Sequence, residues 1–211
     1  YVKVAAEEEY IDSSTWRGFS SKFKVPDAAS HALLYSYDHI TIDLETFLDE
    51  HPAFTAEEFD AFHHRQVEDL RVYLNIQTSG DQILASATGE FYTRAYNSYA
   101  KVVDLANKYW FIKVMMNIKS KYYDLLPRLR RTLHVPIDTH VLNGLRELIA
   151  THELPKCDLP KGGMGTVKTQ AKYANIQNFI RTIAEGIPSA RFEGEEVAPL
   201  VFDTYWQVSR G

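Results

Sequence analysis

The stretch Leu133-His134-Val135-Pro136-Ile137-Asp138-Thr139-His140-Val141 joins an extended segment to a strong helix start. A proline disfavours helical geometry in the residue before it, so the chain around Pro136 is expected to be extended. Asp138 and Thr139 follow, and both residue types accept hydrogen bonds from the free N–H groups at a helix N-terminus. The stretch therefore predicts a helix that begins near Asp138. Its apolar residues form one stripe: Val141, Leu142, Leu145, Leu148 and Ile149.

Similar patterns predict helices along most of the chain. Thr55-Ala56-Glu57-Glu58 is a capping box, which starts a helix. Apolar residues at three- and four-residue steps predict further helices over about 81–107, 108–126 and 166–184, with Pro127 ending the second of these. Ile40-Thr41-Ile42 fits either a strand or the start of a helix. Together these patterns predict an all-α fold.

Three short motifs resemble, in the same order, those of the helix-hairpin-helix (HhH-GPD) DNA glycosylase superfamily. Residues 135–140, VPIDTH, are similar to the V-P-V-D-x-H and V-D-T-H signatures of 8-oxoguanine DNA glycosylases and endonuclease III-type enzymes. Residues 107–115, NKYWFIKVM, resemble the N-K-T-x-x-F-x-x-K-M helix of archaeal 8-oxoguanine glycosylases, with a shorter interval between the lysines. Residues 202–211, FDTYWQVSRG, resemble the C-terminal D-S-x-x-W-x-x-G helix of that branch. The Leu-Pro-Gly-x-Gly hairpin that usually precedes the aspartate is missing.

The resemblance implies two helical lobes around a cleft that binds DNA and a flipped base. The whole chain, 1–211, would be one glycosylase-like unit. A central lobe of about 80–155 would carry the catalytic aspartate, and about 1–75 together with 160–211 would form the second lobe. The residues implied at the site are Asp138 as the catalytic carboxylate, Lys108 or Lys113 as the nucleophile, and Asp203, Tyr205 and Trp206 around the base.

Positive charge is concentrated in the second half of the chain, although the net charge is −5. Residues 1–90 carry 6 Lys and Arg against 17 Asp and Glu, whereas residues 91–211 carry 17 against 11. This pattern fits either a solvated helix face or a phosphate-binding surface. The acidic total charge does not forbid the second, because phosphate contacts are local and charges are screened beyond about 10 Å. On the second interpretation, the residues that contact the DNA backbone are Lys119, Lys121, Arg128, Arg130, Arg131, Lys168 and Lys172.

The cysteine and histidine content argues against a metal centre. Cys157 is the only cysteine, which excludes intramolecular disulfides and a four-cysteine iron–sulfur cluster. No metal and no cofactor are expected, since the histidines show no metal-ligand spacing with Cys157 and are interpreted as surface or capping residues. These are His63, His64, His134, His140 and His152. Lys161-Gly162-Gly163-Met164-Gly165-Thr166 lacks the order of a phosphate-binding P-loop and is interpreted as a flexible loop.

The sequence therefore predicts a DNA N-glycosylase acting on double-stranded DNA from which one damaged or modified base is flipped. Breaking a glycosidic bond builds positive charge on the sugar, which a fixed carboxylate stabilises. Two alternatives stay open: a base-modifying enzyme on the same fold, and a non-catalytic DNA-binding module in which Asp138 only caps a helix. The lone thiol favours an intracellular location, in the cytoplasm, nucleoid or nucleus, and no apolar run of about 18 residues predicts a membrane span. The oligomeric state is left open.

Overall fold

A computed structural model describes residues 35–79, 95–151, 154, 157–186 and 199, and every regular element in them is helical. The all-α prediction is confirmed for this part of the chain. The α-helices, numbered in chain order, are α1 Thr41–Glu50, α2 Ala56–Ser79, α3 Tyr96–Met115, α4 Leu126–Thr132, α5 Thr139–Thr151 and α6 Gln170–Gly186. Shorter helical turns lie at Ser36–Ile40, Tyr123–Leu125 and Met164–Thr166.

Local sequence signals set several of the helix starts. The Thr55–Glu58 capping box is present in both directions: the Thr55 N–H donates to Glu58 Oε2 at 2.7 Å, and the Glu58 N–H donates to Thr55 Oγ1 at 3.2 Å. Ile40-Thr41-Ile42 lies at the junction between a π-helical turn and α1, so the helical alternative is correct. The helix predicted near Asp138 begins at Thr139.

The predicted helix boundary between Asn107 and Lys108 is wrong, because α3 runs through both residues and ends at Met115. No residue there breaks a helix, whereas Asn117 beyond the helix end forms a local turn by accepting from the Lys119 N–H at 3.3 Å. Pro127 also differs from its predicted role. It lies in the first turn of α4, where a missing N–H group costs nothing.

The start of the last predicted helix is also shifted. It was expected at about residue 166, but Met164–Thr166 forms a separate 3₁₀ turn and α6 begins at Gln170. The earlier part of the 81–107 prediction, up to residue 94, lies outside the described residues. Errors in helix boundaries are expected beside glycine-rich loops, because turn-forming residues there end a helix even where the spacing of apolar residues continues.

The buried apolar side chains form two clusters that share α2 and α3. The first contains Val67 and Leu70 of α2, the N-terminal half of α3, and residues of α5 and α6. The second contains Phe59 and Phe62 of α2, the C-terminal half of α3, and residues of α1 and α4. The long helix α3 therefore connects the two clusters and fixes their separation along its axis.

The division into two glycosylase-like lobes stays a prediction. The first cluster combines α3 and α5 from the predicted central lobe with α2 and α6 from the predicted second lobe, so packing crosses the predicted boundaries. Among the described residues, no helix combines the length and the apolar character needed to span a bilayer.

Candidate active site

Asp138 is the N-terminal cap of α5. Its Oδ1 accepts hydrogen bonds from the backbone N–H groups of His140 at 2.8 Å and Val141 at 2.9 Å. Its other oxygen, Oδ2, lies 3.9 Å from the Nζ of Lys101 on α3. The two side chains keep 27% and 16% of their surface exposed, so the pair is partly buried but reachable from solvent. One carboxylate oxygen is thus occupied by the cap, while the other faces a cation.

Side-chain amides hold the extended segment that leads to Asp138. Gln177 of α6 bonds both backbone groups of Val135: its Oε1 accepts from the N–H at 3.0 Å, and its Nε2 donates to the C=O at 2.8 Å. Asn97 of α3 donates to the C=O of Ile137 at 2.8 Å. Buried backbone groups outside regular structure need such partners. The position of Asp138 is therefore set by α3 and α6 as well as by α5.

The glycine-rich loop lies directly against the start of α5. A Cβ added at Gly163 would come within 2.8 Å of Thr139 Oγ1, and Gly162 has a φ of 131°, which favours glycine. Arg146 of α5 donates to the carbonyls of Gly162, at 2.8 Å, and of Pro160. The loop then reaches α3, where the Tyr96 N–H donates to the C=O of Lys168 at 3.1 Å. The starts of α3 and α5 and the glycine-rich loop therefore meet at one place.

The close approach of Gly163 gives a test of this arrangement. We expect Gly163→Ala to lower the free energy of unfolding by about 1–2 kcal/mol, because the new methyl group collides with Thr139; that exposed side chain can rotate, which keeps the cost in the lower part of the overpacking range. Chemical denaturation measures the change. Gly186→Ala is the control, since its Cβ meets nothing within 4 Å, and its effect should stay within about 0.5 kcal/mol. Equal effects of the two substitutions would contradict this loop position.

The structure pairs Asp138 with Lys101 rather than with either lysine expected from the motif. Lys108 is buried, and Lys113 is exposed with its ammonium 5.5 Å from the ring centre of Tyr109. With a rise of about 1.5 Å per residue, they lie about 10 Å and about 18 Å further along α3 than Lys101. The nucleophilic roles of Lys108 and Lys113 stay predictions, and Lys101 joins them as a candidate.

The basic residues predicted to bind the DNA backbone fall into two groups. Lys168 and Lys172 adjoin the glycine-rich loop, and the Lys172 ammonium lies 3.6 Å from a carboxylate oxygen of Asp158. The others follow the far end of α3 or lie on α4: Lys119, Lys121, Arg128, Arg130 and Arg131. The 20 residues of α3 separate the two regions by roughly 25–30 Å along the helix axis. A duplex contacting both would have to extend along α3.

Intramolecular contacts of Lys121 and Arg128, in the far group, compete with binding to phosphate. The Lys121 ammonium donates to both carboxylate oxygens of Asp49, at 2.8 and 2.9 Å, and both side chains are exposed. Arg128 donates to the C=O of Phe54 at 2.9 Å, and its guanidinium lies 5.6 Å from the centre of that ring. Exposed ion pairs are weak, so Lys121 can exchange Asp49 for a phosphate more easily than Arg128 can leave Phe54. The predicted base-binding residues Asp203, Tyr205 and Trp206 lie outside the described residues.

A buried polar network lies between the two apolar clusters. His63 Nε2 and the Tyr173 hydroxyl both contact Asp104 Oδ1, at 2.8 and 2.7 Å. The hydroxyl also lies 3.1 Å from His134 Nδ1, and His134 Nε2 lies 2.7 Å from Asp60 Oδ1. The interpretation of His63 and His134 as surface or capping residues is wrong: they are 1% and 5% exposed. Both lie inside the core because they bond to carboxylates from other elements.

Arg181 fixes the charge at one end of this network. Its guanidinium donates to both carboxylate oxygens of Asp60 and to the C=O of Thr132. Burial alone would raise the pKa of Asp60, but the hydrogen bonds from Arg181 and His134 outweigh burial and hold the pKa well below its usual range. Burial lowers the pKa of His134 to about 3, with a further contribution from the neighbouring His63. Asp60 is thus ionised and His134 is neutral near pH 7.

No protein-family model matches the chain, and no curated protein or solved structure matches it either. The resemblance to DNA glycosylases therefore depends on the three short motifs alone, and the functional argument depends on the site itself.

Proposed function

We propose that this protein is a DNA N-glycosylase whose reaction centre is the Asp138–Lys101 pair at the start of α5. The observation that carries the proposal is the arrangement of the Asp138 carboxylate: Oδ1 is fixed by the cap, while Oδ2 lies 3.9 Å from Lys101 and the pair is reachable from solvent. A carboxylate whose position is fixed before the reaction is the group that a charge-separating reaction on a sugar requires.

The two side chains have distinct roles in this proposal. The Asp138 carboxylate stabilises the positive charge that develops on the deoxyribose as the glycosidic bond breaks. The Lys101 nitrogen attacks the same carbon, and the base leaves with the electrons of the glycosidic bond and takes up the proton that the lysine gives up. Opening of the sugar ring then converts the adduct to a protonated Schiff base. The base leaves the stack before the reaction, which costs a few kcal/mol. Fixed geometry around Asp138, supplied by Gln177, Asn97 and the glycine-rich loop, supports this chemistry because misplaced groups lose much of their effect.

A second candidate function, a non-catalytic DNA-binding module, is supported by a separate observation. The two cap hydrogen bonds of Asp138 are a complete structural reason for an aspartate at this position. With Lys101 as a simple partner, the same pair would stabilise the helix start of a DNA-binding module without catalysis. The candidates differ in their products: a glycosylase releases free base, a base-modifying enzyme consumes a co-substrate, and a binding module does neither.

DNA affinity should fall steeply with salt, despite the acidic total charge. If four to six of the seven predicted backbone-binding residues meet phosphates, the slope of log K against log salt should be about −3.5 to −5.5. Fluorescence anisotropy with a labelled duplex measures this slope. Lys168→Ala, beside the glycine-rich loop, should reduce its magnitude by about 1, whereas Lys3→Ala in the acidic first part of the chain is the comparison expected to change nothing. A flat salt response would rule out a nucleic-acid function.

A further inference from the structure

The buried network brings several lone-pair donors to one point. His63 comes from α2, Asp104 from α3, and His134 from the segment before α5; one ligand atom from each lies within 4.8 Å of the others. The Tyr173 oxygen of α6 adjoins two of them, 2.7 Å from Asp104 Oδ1 and 3.1 Å from His134 Nδ1. The rings of His63 and His134 are 4.0 Å apart between centroids. Four elements therefore contribute two nitrogens and two oxygens to one small volume.

Asp60 determines which nitrogen of His134 faces this group. Its carboxylate is paired with Arg181, so it accepts and does not donate hydrogen bonds. His134 Nε2, 2.7 Å away, must therefore carry the proton. The other ring nitrogen, Nδ1, is directed towards the Tyr173 oxygen at 3.1 Å.

The donor atoms are connected by short contacts. Three of these contacts join His134 Nδ1, the Tyr173 oxygen, Asp104 Oδ1 and His63 Nε2 in sequence. Each of these four atoms has a lone pair that a metal ion can use once it displaces the protons shared between them. A cation at this point would therefore replace the hydrogen bonds of all three contacts.

We propose that this group is a binding site for a divalent first-row transition ion, with Zn²⁺ the best chemical match. The ligands are His63 Nε2, the Asp104 carboxylate and His134 Nδ1, and the Tyr173 oxygen takes the fourth position. Two imidazoles with oxygen donors suit this class of ion, and four protein positions in a buried place are typical of a closed, structural site. The site departs from the sequence-based expectation that the protein binds no metal.

The surroundings of the group also fit a metal. A ligating histidine usually donates its other ring N–H to a carboxylate, as His134 does to Asp60. Tetrahedral bonds of about 2.0–2.2 Å place donors about 3.3–3.6 Å apart, so the donors now 2.7–3.1 Å apart would separate by about 0.5 Å. The ion would cross-link α2, α3, α6 and the segment leading to Asp138. This inference does not depend on the proposed function, since it concerns a buried group that takes no part in the reaction.

Cobalt titration of the chelator-treated full chain tests the proposal. We expect one Co²⁺ per chain with the strong visible absorption of a tetrahedral site, displacement by Zn²⁺, and a rise in Tm that EDTA reverses. Asp104→Asn and His134→Gln should weaken binding by more than about 100-fold. Asp60→Asn, one shell further out, should weaken it by about 10–100-fold.

His64→Gln is the matched control. His64 adjoins His63 in sequence, but its Nδ1 contacts the Tyr96 hydroxyl at 3.0 Å instead of the donor group, so its substitution should leave the cobalt spectrum and affinity unchanged. Folded wild-type protein without a 1:1 tetrahedral site would overturn the proposal, whatever the folding of the variants. Equal loss of binding in His64→Gln and the ligand variants would overturn it as well. The first result would identify the network as a hydrogen-bonded core, and the second would place the bound ion outside this group.

Discussion

Asp138→Asn is expected to slow base excision by about 100- to 1,000-fold or more while leaving the fold intact. The substitution removes the negative charge that stabilises the sugar in the transition state, and loss of one such preorganised group has costs of this size. Asparagine caps a helix about as well as aspartate, so the hydrogen bonds to His140 and Val141 can persist through the amide oxygen. Single-turnover excision and thermal melting on the same preparation separate the two effects.

Asp138→Ala is the matched control for the cap. It removes the charge and the cap together, so it should match the catalytic loss of Asp138→Asn and in addition lower stability by about 0.5–2 kcal/mol. Asp138→Asn with a wild-type excision rate would leave the cap as the only role of this residue. The same outcome would favour the non-catalytic DNA-binding module.

Lys101→Met is expected to abolish covalent trapping of the protein on DNA by borohydride. A Schiff base between the amine and the opened sugar is reduced to a stable bond, and the reaction needs an amine within reach of the carbon beside Asp138. Lys101 is the lysine paired with that carboxylate, at 3.9 Å. Denaturing gel electrophoresis after borohydride treatment measures the adduct. Methionine keeps much of the side-chain length, so packing on α3 should change little.

Lys113→Met and Lys108→Met complete this comparison. Lys113 is exposed and lies about 18 Å along α3 from Lys101, so its substitution should leave trapping unchanged. Loss of the adduct in Lys108→Met or Lys113→Met, with retention in Lys101→Met, would contradict the role of Lys101. The nucleophile would then be the lysine whose substitution abolishes the adduct. Excision without any adduct would show that water attacks the sugar, and Asp138 would keep its role.

Local signals in the sequence predicted the starts of α2 and α5 and the helical character of the described residues. The capping box at Thr55, the proline-led segment before Asp138 and the apolar stripes each depend on residues within one or two helical turns, and the helices follow them. The predicted helix boundary between Asn107 and Lys108 had no such local signal. No helix-breaking residue separates the two positions, and α3 continues through both.

The contacts of the site could not be predicted in the same way because they are distant in sequence. Lys101 and Asp138 are 37 positions apart in the sequence, and His134 and Asp60 are 74 positions apart. One signal was nevertheless present for His63. It lies four residues after Phe59 and seven before Leu70, on the buried stripe of α2, which indicated an interior histidine in need of partners.

The central claim is that this chain breaks N-glycosidic bonds in DNA, and the most direct measurement is the release of free base. Wild-type protein and Asp138→Asn would be incubated in parallel with duplexes carrying a panel of modified bases, and small molecules would be identified by mass spectrometry. We predict that wild-type protein releases a free base from at least one duplex and that Asp138→Asn releases almost none. Folded wild-type protein that binds the duplexes yet releases no base, or equal release by both proteins, would contradict the account.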